Sequence, residues 1–97
     1  MKSQDTHLAS QAEVFKALGH PTRLLFVRAL AAGEQCVCEL QKLVDVDPST
    51  VSRHLGVLRH AGVVADDKRG QQVFYRLRMP CVAGFISCVN GALEEGE

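Results

Sequence analysis

Between Asp47 and Leu77 the spacing of apolar residues changes from a helical repeat to a strand repeat, and this change limits what the chain can fold into. Asp47-Pro48-Ser49 reads as a cap, a first-turn proline and the opening of a helix that reaches His60. A short polar side chain there accepts from N–H groups the first turn leaves unpaired, and a proline at that point gives up no helical hydrogen bond. Val51, Leu55 and Leu58 stand at i, i+4 and i+7, hence on one buried face, and Gly62 marks the exit. Val63-Val64-Ala65 and Gln72-Val73-Phe74-Tyr75-Arg76-Leu77 then read as two strands around the polar segment Asp66 to Gln71, a hairpin.

Three helices are expected upstream. Leu8, Ala12, Phe15 and Leu18 recur at threes and fours, and Gly19 ends that stretch. His20-Pro21-Thr22-Arg23 opens a second helix, filled by Leu24, Leu25, Val27, Ala29, Leu30 and Ala31 and closed by Ala32-Gly33. A third is expected from Cys36 to about Val44, with Leu40, Leu43 and Val44 inward. Downstream, Pro80 starts a last helix through Val82, Phe85, Ile86, Val89 and Leu93, whose broad apolar side suits cover by a partner subunit. The order predicts a mainly α fold with a small β-hairpin: a winged helix-turn-helix of about five helices and a two-stranded wing. Residues 1–97 form a single domain in this reading, with 1–8 a flexible arm and 80–93 a dimerisation helix. Leu8, Ala12 and Phe15 of the first helix, with Val82, Phe85, Ile86 and Val89 of the last, are the expected dimer contacts.

A chain of 97 residues builds only a modest core, burying roughly 60 to 65% of its unfolded surface, so association with a second copy helps. No apolar run approaches the length of a membrane span, and Met1 to His7 lacks a secretory pattern, so the expected location is cytoplasmic with no membrane partner. Formal net charge is zero, yet residues 49–78 carry Arg53, Arg59, Lys68, Arg69, Arg76 and Arg78 against Asp66 and Asp67. That segment is therefore positive and the remainder negative, an asymmetry that can orient the protein on a polyanion. Ser49, Thr50 and Ser52 permit close approach near a helix N-terminus, and Arg53 is the candidate for a bidentate contact to guanine. His54 is either a backbone contact or a packed histidine, Arg59 suits a phosphate, and Lys68 and Arg69 form a basic hairpin tip. The expected partner is double-stranded DNA. Metalloprotease motifs, phosphate-binding glycine loops and nucleophile–base sets are lacking in the sequence, so no enzyme is expected.

Cys36 and Cys38 stand two apart, about fifteen residues before the DNA-facing arginine. If both belong to one helix they lie too close for an ordinary bridge, which favours reduced thiols used for metal or redox chemistry over a disulfide framework. At a helix start the unpaired N–H groups favour thiolate, the form that binds soft ions. The spacing cannot set both side chains on one helical stripe, so binding would require the helix start to distort, shifting the DNA-facing helix behind it. The bland reading is that both are small buried hydrophobes. Cys81 and Cys88, seven apart on the last helix, suit an interface or a ligand role equally, and His7 is an accessory candidate.

Together these blocks resemble the ArsR/SmtB family of bacterial metalloregulatory repressors. The likeness runs through Phe15-Lys16-Ala17-Leu18-Gly19-His20-Pro21-Thr22-Arg23-Leu24, Cys36-Val37-Cys38-Glu39-Leu40, Ser49-Thr50-Val51-Ser52-Arg53-His54-Leu55, Leu58 to Val64 and Phe74 to Leu77. It implies a homodimer joined by its first and last helices, bound to a palindromic operator and released when an inducer binds. It also implies a cysteine-type site at Cys36 and Cys38, with Cys81 and Cys88 as further candidate ligands. Arsenite-responsive members often carry a third cysteine where this chain has Gln41. Cadmium- and lead-responsive relatives add cysteines from an N-terminal arm, which residues 1–35 lack. Zinc-responsive relatives use acidic and histidine ligands on the final helix; Cys81, Ala92 and Glu95 stand roughly at several of those places, so a complete histidine-rich zinc site is not expected. The expected inducer is As(III) or Sb(III), ahead of Cd(II), Pb(II) or Zn(II), with no permanent cofactor. The alternatives are a thiol-based redox or persulfide sensor and a non-sensing winged-helix interaction protein.

Overall fold

A computed structural model describes residues 5–96. The order is α1 (Asp5–Leu18), α2 (Pro21–Ala31), β1 (Gln35–Cys36), α3 (Val37–Gln41), α4 (Pro48–His60), β2 (Val64–Arg69), β3 (Gln72–Leu77) and α5 (Cys81–Glu95). None of the described helices is long and apolar enough to cross a membrane.

Helix α4 forms where its sequence says it should. Asp47 is extended and accepts from the Thr50 backbone N–H at 3.2 Å, and Pro48 occupies the first turn. Its inner face of Val51, Leu55 and Leu58 is fully buried, joining Phe26, Val27 and Leu30 of α2, Leu40 of α3, and Val63, Val64 and Tyr75 from the wing side. The position of α4 therefore rests on apolar burial, at roughly 25 cal/mol per Å² removed from water. After His60 the chain turns through Gly62, whose φ of 86° lies in the left-handed region that favours glycine.

The wing is larger than the two strands expected. β1, β3 and β2 form an antiparallel sheet in that order, with Gln35 opposite Tyr75 and Cys36 opposite Phe74. β2 runs on to Arg69 rather than stopping at Ala65, because Asp66 to Arg69 stay paired with β3 down to Arg69 opposite Gln72. The loop is then only Gly70-Gln71, with Gly70 at φ 63° taking the first central position of the turn.

Three further expectations change. The third helix does not begin at Cys36 or run to Val44. Cys36 is extended at φ −77° and ψ 159°, ends β1 and caps α3, and α3 stops at Gln41. Asp5 to Leu8 belong to α1, so the part of the expected arm that is described is helical, and residues 1–4 lie outside the described residues. Val82 faces its own protomer's core, only 7% exposed, and so does not point outward as expected for a dimer contact, while Ile86 is half-buried beside it and lines an open groove between α2 and α5. The reason is that α5 packs on α2 and needs one apolar edge for that purpose. Leu8, Ala12, Phe15, Phe85 and Val89 are exposed, and the Phe15 and Phe85 rings meet edge to face at 5.6 Å.

Candidate nucleic-acid interface and its thiol pair

The outer face of α4 presents Ser49, Ser52 and Arg53 to solvent, with Thr50 half-buried behind them. Ser49 donates to the Asp47 carboxylate at 3.0 Å. Hydrogen bonds from Thr50 first, then Ser49, hold the Asp47 carboxyl below its ordinary value, so the cap stays ionised through the neutral range. Arg53 forms no ion pair among the described residues.

His54 turns the other way. It is 8% exposed, and its Nδ1 lies 3.0 Å from the Arg23 guanidinium. Arginine can only donate, so that nitrogen accepts and the proton of the neutral ring sits on Nε2. The His20 ring packs on it at a centroid distance of 4.3 Å, while His20 Nδ1 caps α2 by accepting from Thr22 N–H at 3.0 Å. Arg23 also donates to the Ala17 carbonyl. Burial foremost, then the neighbouring His20, Arg23 and Arg53, push the His54 pKa down, so this ring stays neutral and fixes α4 against α2.

The remaining basic candidates divide. Arg59 pairs with Asp66 at 3.0 Å across the base of the wing. Lys68 is exposed with no ion pair among the described residues. Arg69 is fully engaged: Nη1 and Nη2 reach the two Glu34 oxygens at 2.9 and 2.8 Å, and Nε reaches Asp67 at 2.9 Å. Its guanidinium also lies over the Phe74 ring, 4.5 Å from the centroid. Glu34 foremost, then Asp67, raise its pKa above the ordinary value.

Cys36 and Cys38 are joined by a disulfide, contrary to the expectation that they lie too close for one. The expectation assumed that both residues are helical. With Cys36 extended and Cys38 in the first turn of α3, the Cα atoms are 5.2 Å apart, inside the range a disulfide spans. Cys36 is buried at 7% exposure and its Sγ accepts from Glu39 N–H at 3.3 Å, while Cys38 is exposed. The pair lines a groove of about 360 Å³ between α4 and the wing, with Ser52 and Leu55 on one side and Gln71, Gln72, Val73 and Tyr75 on the other. Cys81 and Cys88 are free, exposed and on α5, and neither lines this groove. Among the described residues no three His, Cys, Asp or Glu side chains are grouped to hold a metal. His7 and Cys81 do line one groove between α1 and α5, without a third donor of that kind.

Sequence reasoning passed over Glu34 and gave no site role to Asp67, His20 or Arg23, although it read His20-Pro21-Thr22-Arg23 as a helix start. Glu34 and Arg69 are 35 residues apart and His54 and Arg23 are 31 apart, separations at which no local repeat links two side chains. The one available signal for the histidines was the Pro21 helix start, which places His20 at a cap.

A capped helix feeding a paired β-wing, with a short helix packed before it, defines a winged helix-turn-helix regulator. Residues 20–66 match the family model described as "Bacterial regulatory protein, arsR family". The chain is 46% identical over 78 residues to the biofilm growth-associated repressor of Agrobacterium fabrum, covering 80% of this chain and 67% of that one. Its fold matches the transcriptional repressor BigR from Xylella fastidiosa at a TM-score of 0.78 and 33% identity, over 95% of this chain and 96% of the other. It also matches the homodimeric winged helix-turn-helix DNA-binding domain Mb0332 from Mycobacterium bovis at a TM-score of 0.85 and 27% identity, over 99% and 89%. The chain belongs to the ArsR family of bacterial regulatory proteins.

Proposed function

We propose that this protein is a homodimeric DNA-binding repressor whose hold on its operator depends on the oxidation state of Cys36 and Cys38. Each subunit lays α4 in a major groove, with Arg53 on a base edge and Ser49, Thr50 and Ser52 on bases or phosphates, while Lys68 of the wing reaches a flanking phosphate. The homodimeric architecture of the Mycobacterium bovis neighbour supports the dimer, as does the apolar surface of Leu8, Ala12, Phe15, Phe85 and Val89.

The observation that carries the redox reading is the Cys36–Cys38 bond in a groove walled by α4 and the wing. Two thiols lose two electrons and two protons as the bond forms. A hydroperoxide can accept them, breaking its O–O bond to leave an alcohol and water. Closing the bridge pins the start of α3 to the end of β1, and in this reading that changed hold on the α3–α4 unit lowers DNA affinity. An arsenite reading fits less well. Arsenite typically takes three thiolates, Gln41 stands where a third would, and Cys81 and Cys88 lie outside the groove.

Fluorescence anisotropy on the protein's own promoter DNA tests this. The dithiol form should bind about tenfold or more tighter than the disulfide form, within the usual range of coupling between two sites. The difference should vanish in Cys36→Ser/Cys38→Ser. Arsenite that releases the reduced wild type, with equal affinity of its dithiol and disulfide forms, would replace the redox reading with metalloid induction.

A further inference from the structure

The wing carries a half-exposed cation that is already paired with carboxylates. Arg69 sits at the tip, where a basic side chain would meet a phosphate, but its three nitrogens are all spent on carboxylates: two on Glu34 and one on Asp67. Phe74 backs the same guanidinium. Glu34 and Asp67 offset the charge of Arg69, so the hairpin tip with Lys68 is balanced rather than positive toward a polyanion. The bidentate geometry matters, because a fork-to-carboxylate pair fixes direction as well as distance.

The restraint is not local to the wing. Glu34 directly precedes β1, and β1 reaches the wing through Cys36 opposite Phe74, the residue under Arg69. The backbone that carries the thiol pair therefore also sets where Glu34 stands. Lys68, next to Arg69, has no such partner among the described residues. Two adjacent cations at one hairpin tip are thus treated differently: one is available to DNA and the other is held.

We infer that Glu34 is a positioning residue that withholds Arg69 from the DNA backbone while β1 is bridged to α3. It sets the number of phosphate contacts the wing can make. This rests on the DNA-binding reading above and adds to it a residue through which the thiol segment reaches the wing. Released from Glu34, the guanidinium is long enough and flexible enough to leave Phe74 for a neighbouring phosphate, where bidentate recognition again suits it.

Anisotropy titrations of the disulfide form on promoter DNA, over a series of salt concentrations, test the inference with four proteins: wild type, Glu34→Gln, Arg69→Gln and the double variant. Each added phosphate contact steepens the plot of log affinity against log salt by about 0.9. Arg69→Gln alone should leave the salt slope at its wild-type value, since the withheld cation makes no phosphate contact, and should lower affinity only through the uncompensated Glu34 and Asp67. Glu34→Gln should bind tighter and steepen the slope by about 0.9 per subunit. The double variant should return to wild type. A shallower salt slope for Arg69→Gln alone would overturn the inference, because Arg69 would already be on a phosphate. A gain that persists in the double variant would also overturn it, since Glu34 would then act only by repelling DNA. Wild type that binds no DNA in either oxidation state would sink the repressor reading, and this inference with it.

Discussion

The two sides of the DNA-facing surface are held by different physics. Helix α4 is set by Val51, Leu55 and Leu58, all fully buried, and by the neutral His54 locked between His20 and Arg23. The β1–wing corner is set by one disulfide, the Glu34–Arg69–Asp67 cluster and the Arg59–Asp66 pair, most of it exposed. Apolar burial is not weakened by charge screening or by mild thiol oxidants; exposed ion pairs and a thiol pair are. On the proposed redox reading, a reader that keeps its shape stands beside a corner that answers to solution chemistry.

The largest effect expected from breaking this contrast is in the core. Leu55→Ala should cost about 2–5 kcal/mol of stability in a urea melt, because the side chain is fully buried and the site cannot collapse around the gap. A loss below about 1 kcal/mol would mean that α4 is not held by packing. Next comes the DNA face. Arg53→Ala should weaken binding to the specific operator by about tenfold or more, while changing thermal stability little, since a bidentate guanine contact is worth roughly 1–3 kcal/mol of discrimination. Equal weakening on operator and random duplex would instead assign Arg53 to a phosphate.

Acid should then find the histidine. Folding lowers the His54 pKa below the ordinary histidine value of 6.5, so the unfolded chain binds the proton more readily. That contribution to stability is complete above the unfolded value and is lost as pH falls below it toward the folded one. Urea midpoints of wild type should fall between pH 7 and pH 5, and His54→Gln should show a shallower fall over the same range. Parallel slopes would show that His54 takes up its proton without cost. The smallest effect belongs to the surface. Breaking the exposed Lys42–Glu39 pair, 3.4 Å apart, with Lys42→Ala should shift stability by less than about 1 kcal/mol.

The same contrast separates what the sequence disclosed from what it did not. Asp47-Pro48 and the i, i+4, i+7 spacing of Val51, Leu55 and Leu58 declare α4 within one stretch of chain, as do the alternating residues of β3. Strand β1 has only Gln35 and Cys36, too short for any period, and its partner Phe74 is far away in sequence. Cysteine is not a usual cap residue, so nothing marked Cys36 as the extended boundary of α3, and the bridge to Cys38 was misjudged for that reason. Glu34 was invisible because its role exists only when the wing folds back over β1. Val82 was read as an outward residue because apolar periodicity cannot say which side of an amphipathic helix a partner takes.

Hydrogen exchange on the dithiol and disulfide forms, read amide by amide without DNA, is the most direct test of a fixed reader beside a responsive corner. Amides of Val51, Leu55 and Leu58 should be protected equally in both forms. Those of Gln35 to Glu39 and of Phe74 and Tyr75, paired with β1 or capping α3, should exchange faster once the bridge is reduced. Identical exchange throughout, or a loss of protection along the whole of α4, would contradict the division.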